Sequence, residues 1–331
     1  MEQYEDRAAI RNLVLGVLLG VILSRFSLGS VFMTVPVLLA CPRVRKAQYR
    51  IGAFAVMLLA VVTWTVIENR AVLGTEFWPL ILVNLFLPVS NIIGSAVWEY
   101  GSDYSRSSIR KFFWACIPVF VIGIAMAFYF ASDASKTVRT ALVEGMLYYF
   151  PSDYLSVDIS SLLYAAVDLM MLFFAPLGVL LLALPVVTAD ISINRYDEDW
   201  QYDFANMKLP DQYVWVFFGS WAASLASYLV SSVPRWILAL SWNLALSVSV
   251  LYLIVGLSIV VAFARRRTAA LTVGKIVLLL VLICFIPFVN LVVVFGLILL
   301  GVLETWFRFR LIRQNFLRSL KYENYFESGR T

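Results

Sequence analysis

Residues 284–313 read CFIPFVNLVVVFGLILLGVLETWFRFRLIR. An apolar run longer than one bilayer crossing is interrupted by Pro287-x-x-Asn290 and then ends in alternating aromatics and arginines. Proline removes a backbone donor and clashes with the preceding turn. Asparagine can hydrogen-bond backbone groups freed by such a break. Pro287 and Asn290 therefore mark a structural break, and the spacing predicts two helices folded back as a hairpin. A single kinked helix ending on the other side of the membrane is the alternative. The choice depends on where the charges lie.

The chain has 331 residues, 62% of them hydrophobic and 14% charged, with a mean hydropathy of +0.85. Soluble domains carry about 45–50% apolar and about 25% charged residues. There is too little polar surface here to cover a soluble globule. Apolar runs near residues 10–27, 28–40, 51–67, 77–97, 112–131, 161–187, 213–232, 236–263, 271–286 and 288–304 approach the roughly 20 residues that cross hydrocarbon as a helix. These runs are continuous, whereas barrel strands alternate. The expected fold is therefore an all-α, polytopic membrane bundle of about 8–10 segments. It is read as one integral domain over 1–310 and a basic cytoplasmic tail over 311–331. The 28–40 segment is short enough to be re-entrant, as is either half of the closing pair.

With the N-terminus cytoplasmic and every span crossing, 20 of the 26 Lys and Arg residues fall inside and five (Arg25, Arg70, Lys136, Arg139, Arg235) fall outside. Lys275 starts a span and snorkels to the inner surface. Basic residues concentrate on the cytoplasmic side, so this asymmetry sets the orientation. It also favours the hairpin, because the Arg265–Arg267 run and the tail from Arg308 onward then share one side. Trp306, Arg308 and Arg310 form the expected interfacial anchor. The acidic, mixed start MEQYEDRAAIRN lacks a basic leader region, so the first apolar run is expected to stay as a membrane helix. Both termini are placed in the cytoplasm and the protein in the cell (inner) membrane.

Cys41, Cys116 and Cys284 have no metal-ligand spacing and read as small buried hydrophobes. The chain has no histidine, which removes the commonest general base and metal ligand. No catalytic, cofactor-binding or metal residue is assigned, and no enzymatic role is expected. The acidic DEDWQYD run at 197–203 is similar to aspartate-rich magnesium sites of membrane prenyl transferases. That chemistry needs a second acidic cluster and a diphosphate cradle. The sequence offers neither, so the run reads as a solvated loop.

Four polar residues inside the spans are candidates for an intramembrane site. Asp168 lies well within an apolar run, where a carboxylate must face protein or water, pair with a base, or be protonated. It is either a ligand or proton site or a structural bond in the bundle. Asn84 and Asn91 are seven residues apart, on one helix face with Pro88 between them. They read either as a polar stripe lining a cavity or as interhelical glue, and Asn243 carries the same two readings. Gly16-x-x-x-Gly20 permits close helix approach, within the bundle or to a partner helix. The stretch ALVEGMLYYF at 141–150 is read as a helix on the outer interface, ended by Pro151.

The C-terminal half, residues 204–310, resembles the YybS-like family of bacterial membrane proteins of unknown function. The matching features are Pro210 ahead of a span, Asn243, the Gly256-Leu257 pair before basic residues, and the acidic-x-Trp-Phe-x-Phe-Arg ending from Glu304 to Arg310. Arg308 departs from the family, which tends to carry an acidic residue there. The layout is also distantly similar to substrate-binding membrane subunits of energy-coupling-factor vitamin transporters and to MreD-type cell-shape proteins. The family carries no established activity, and the function expected for the chain is that of a non-enzymatic transporter or transporter-like binding subunit for a small polar molecule. The alternative is a membrane scaffold for an envelope or cell-shape complex. The implied partners are the lipid bilayer, other membrane subunits and, for active transport, a separate ATPase, since the chain has no nucleotide-binding motif. No nucleic-acid partner is implied.

Overall fold

A computed structural model describes residues 2–26, 29–102, 108–147, 159–230, 233–267 and 271–307. In chain order the helices are α1 (Glu2–Leu23), α2 (Gly29–Phe32), α3 (Val35–Ala40), α4 (Ala47–Glu68), α5 (Pro79–Gly101), α6 (Ser108–Ala131) and α7 (Lys136–Leu147). They continue as α8 (Ile159–Met170), α9 (Phe174–Ile193), α10 (Glu198–Ala205), α11 (Tyr213–Leu229), α12 (Arg235–Arg267), α13 (Val273–Cys284) and α14 (Val289–Phe307). No strand occurs among the described residues. Six of these helices, α4, α5, α6, α9, α12 and α14, are long and apolar enough to cross a membrane. The Gly29–Arg43 stretch, Ser161–Met170 of α8, and α13 are shorter apolar pieces. The chain is a multi-pass, all-α membrane protein.

Contacts divide it into two compact units: Met1–Ile193 with Val216–Val248, and Asn194–Trp215 with Ser249–Thr331. The boundary falls inside α12.

In the first unit, α5, α6 and α9 pack around Phe86, Phe130 and Phe174. Phe86 meets Phe174 edge-on at 5.3 Å between ring centroids, and Phe130 meets it at 5.1 Å. Glycine brings backbones together at two places. A side-chain carbon at Gly16 would sit 2.9 Å from the Pro36 carbonyl oxygen, and one at Gly20 would sit 2.5 Å from that of Met33. The Gly16–Gly20 pair therefore docks α1 onto the α2–α3 segment, within the bundle. Gly123 similarly lets α6 lie against Ala175 of α9.

The expected single span over 161–187 is instead two helices, α8 and α9, joined through 171–173. Pro176 stands in the first turn of α9, and its ring cannot follow the carbonyl of Leu172 in a continuous helix. Asn243 of α12 holds this break. Its Oδ1 accepts the Ala175 amide at 2.8 Å, while its Nδ2 donates to the carbonyls of Met171 and Ala239, each at 2.7 Å. The described part of the 28–40 segment, from Gly29 onward, is also discontinuous, with Met33 and Thr34 between α2 and α3.

In the second unit, the break at Pro287 is present. α13 ends at Cys284 and α14 starts at Val289, and the two helices pack together. Phe288 takes a φ of 65°, a left-handed conformation uncommon outside glycine. Asn290 Oδ1 accepts the Leu291 amide at 2.7 Å, so it satisfies backbone at the start of α14 as its position predicts. Trp306 is half exposed at the end of α14. Arg308, Arg310, Pro151 and the 311–331 tail lie outside the described residues.

The acidic run expected as a loop is largely α10. Asp197 caps it, its carboxylate accepting the amides of Asp199 at 3.0 Å and Trp200 at 3.2 Å. Glu198 and Asp199 occupy the first turn, where negative charge complements the helix dipole. The helix expected over 141–150 starts earlier, at Lys136.

Candidate functional site

The second unit contains a polar recess of about 80 Å³ in otherwise apolar surroundings, lined by Lys208, Leu209, Asp211, Tyr252, Val255, Gly301, Glu304 and Thr305. Three stretches far apart in sequence build it. α14 supplies Gly301, Glu304 and Thr305, spaced so that 301, 304 and 305 share one helix face. α12 supplies Tyr252 and Val255, and the segment after α10 supplies Lys208, Leu209 and Asp211.

Two glycines set the depth of the recess. A side-chain carbon at Gly256 would fall on the Leu297 carbonyl, and one at Gly301 on the Tyr252 carbonyl. α12 and α14 thus meet backbone to backbone, which small residues allow in membrane bundles. Ser258 fixes the third wall, its hydroxyl lying 3.3 Å from the Met207 carbonyl oxygen. Glu304 is only 5% exposed and Tyr252 only 1%. Lys208 and Asp211 are exposed at the rim. The recess thus presents a buried carboxyl, two hydroxyls and a rim bearing one charge of each sign. Such a set can receive a small polar or cationic group by hydrogen bonding and charge.

Asp168 lies elsewhere, in the first unit. Its carboxylate forms an ion pair with Arg139 of α7. Arg139 is largely buried and Asp168 is about a third exposed. Burial, with Arg235 nearby, draws the Arg139 guanidinium below the usual arginine range, and Asp168 answers that charge. Tyr164 Oη and Thr140 Oγ1, 3.5 Å apart, link the same two helices. Of the readings open for Asp168, the structure provides the base to which it pairs.

Asn84 and Asn91 share a helix face by spacing, yet their environments differ. Asn84 is exposed on the first turns of α5, while Asn91 is 1% exposed further along it. The cause is cover. Most of residues 90–99 of α5 are enclosed by the protein, whereas its opening turns bury Pro79, Ile81 and Phe86 on one side and leave Asn84 outside. The expected stripe of asparagines therefore does not face one cavity. Asn243 is also apart from them, fully used as the staple of the α8–α9 break.

Glu304 holds a motif position in the sequence, but it stands within one turn of the end of its apolar run, where a carboxylate gives no local signal of burial. Arg139, Lys208, Asp211 and Tyr252 gave no local signal. The Gly256 and Gly301 pair was the available hint, since each interrupts a long apolar run on a helix that must meet another closely.

No protein-family model, curated protein or solved structure matches the chain.

Proposed function

We propose that this protein is a membrane transport component, a transporter or a transporter-like binding subunit, that accepts a small polar or cationic solute at the recess around Glu304. The observation that carries the reading is the buried Glu304 carboxyl in the wall of a polar recess on an apolar, membrane-length helix. An ionisable group buried inside the protein on such a helix is costly to desolvate, and such groups tend to mark solute or ion sites. The size of the recess sets the scale of the solute. Pockets for drug-sized ligands run about 300–1,000 Å³, so a recess of about 80 Å³ suits a solute of a few heavy atoms rather than a vitamin. The distribution of Lys and Arg supports a cell (inner) membrane location with both termini in the cytoplasm. Concentrative transport would draw on a separate ATPase or an ion gradient.

The test compares small molecules released by denaturation from wild-type and Glu304→Gln protein, purified in parallel in lipid nanodiscs. A species retained by wild type and lost from the variant supports the reading. Identical profiles, with the same envelope proteins copurifying with both, would overturn it in favour of a scaffold.

A further inference from the structure

The α2–α3 segment breaks at Met33 and Thr34 in the middle of an apolar stretch. The carbonyls that end α2 have no following turn to serve, and in a bilayer such groups must find partners inside the protein. Discontinuous helices of this kind supply the oxygen ligands of many ion-coupled membrane proteins. α5 faces this break with polar residues at Asn91, Ser95 and Glu99, each one helical turn from the last.

These side chains are buried. Asn91 Nδ2 lies 3.5 Å from the Val31 carbonyl oxygen, long for a hydrogen bond. Asn91 Oδ1 is buried and has no hydrogen-bond partner, and the same is true of the neighbouring Ser90 hydroxyl. One turn on, Ser95 Oγ donates to Thr34 Oγ1 at 3.1 Å, with both residues fully buried. Thr34 precedes α3 without its side chain capping that helix, so its oxygen is turned toward α5. A further turn on, Glu99 pairs with Arg50 at 3.4 Å.

The other helix break in this unit provides the contrast. There Asn243 uses its oxygen and both amide hydrogens on protein groups. Both asparagines stand at a broken helix, but only Asn91 has an acceptor left over. Buried polar atoms are almost always satisfied, so the Asn91 oxygen points to an occupant.

We infer that Asn91, Ser95, Thr34 and the Val31 carbonyl at the α2–α3 break form a binding site for an alkali-metal cation. The donors are hard, neutral oxygens. Neutral oxygens in apolar surroundings can compensate one unit of charge, whereas calcium and magnesium sites recruit carboxylates and softer metals recruit imidazole or thiolate. The nearest carboxylate along α5, Glu99, is already matched by Arg50. The site goes beyond the solute recess and uses none of its residues.

The experiment is thermal unfolding of the purified full-length protein in NaCl, KCl or choline chloride at equal ionic strength. A ligand of the folded state raises Tm in a saturable way. The expected result is such a rise with sodium or potassium and none with choline. Ser95→Ala and Asn91→Ala should weaken the apparent cation affinity by about tenfold or more. Asn84→Ala and Glu304→Gln should leave it unchanged, which separates this site from the solute recess. Ser95→Ala removes a single hydroxyl, and binding of radioactive sodium to wild-type protein gives a readout that needs no variant. Equal Tm values in all three salts, with no sodium bound, would overturn the proposal and assign the Asn91 oxygen to a buried water. A cation response that persists undiminished in Ser95→Ala and Asn91→Ala would also overturn it.

Discussion

Asn243 on α12 accepts the backbone amide of Ala175 on α9 at 2.8 Å, and with its own amide group it bridges to the carbonyl of Met171 across the break between α8 and α9. One side chain thus stands between the Ala175 amide and the Met171 carbonyl, two groups that would bond each other in a continuous helix. Interhelical hydrogen bonds in membranes average about 0.6 kcal/mol, but a buried polar group left unsatisfied costs about 1–3 kcal/mol.

Asn243→Leu should therefore destabilise the protein by about 2 kcal/mol or more, since it orphans the Ala175 amide and the Met171 carbonyl together. Reversible unfolding in mixed micelles is the measurement. Ser227→Ala is the comparison, because the Ser227 and Ser241 hydroxyls lie 3.4 Å apart and their loss leaves no backbone group stranded. Equal costs for the two would remove the staple.

The pair between Arg139 and Asp168 gives a different signature. Asp168 is partly solvated, so its pairing is worth about 1 kcal/mol or less. Asp168→Asn should lower stability by that order, and Arg139→Gln should cost somewhat more because its side chain is buried. The double variant should cost less than the sum, as a double-mutant cycle would register. Loss of small-molecule retention in Asp168→Asn, with stability unchanged, would give this carboxylate a direct solute contact instead.

Glycine substitutions separate the seam of the recess from the rest of its helices. Gly256→Ala and Gly301→Ala each force a carbon onto a facing carbonyl, and overpacking of this kind costs about 1–3 kcal/mol. Gly296→Ala meets nothing within 4 Å and should be neutral or stabilising by up to about 1 kcal/mol, through better helix propensity. Tm values for the three variants suffice. A cost at Gly296 matching that at Gly301 would contradict the close α12–α14 packing.

The closing hairpin predicts the location of the tail. A fluorescent protein that folds only in the cytoplasm should be bright when fused to the C-terminus, and alkaline phosphatase at the same point should be inactive. The reverse pair of results would mean that 271–307 crosses once.

The sequence made some of this legible and hid the rest for identifiable reasons. Pro287 and Asn290 were readable because a helix breaker stood in a run too long for one crossing, with basic residues on both flanks. Pro176 was an equally good breaker, but it sat in a 161–187 run of plausible length for one tilted span, so nothing in the pattern demanded a break there. Spacing alone put Asn84 and Asn91 on one face. It carried no information on which sides of α5 are covered at each level along the helix, and that decides burial. The Glu304 recess was least visible, because its walls come from residues near 208, 252 and 301 that approach only after folding.

α12 runs for 33 residues, roughly 50 Å at about 1.5 Å per residue. The hydrocarbon layer is roughly 30 Å thick, and membrane helices rarely tilt beyond about 40°. Even at that tilt the helix outreaches the oily layer by several ångströms. The surplus bears Arg235 and Trp236 at one end and Arg265 and Arg266 at the other, side chains that seek headgroups. Acyl-chain length is therefore a mechanical input to this protein. A thin bilayer would press the helix toward greater tilt and a thick one would let it stand upright, so lipids of different chain length should shift its orientation without any bound solute.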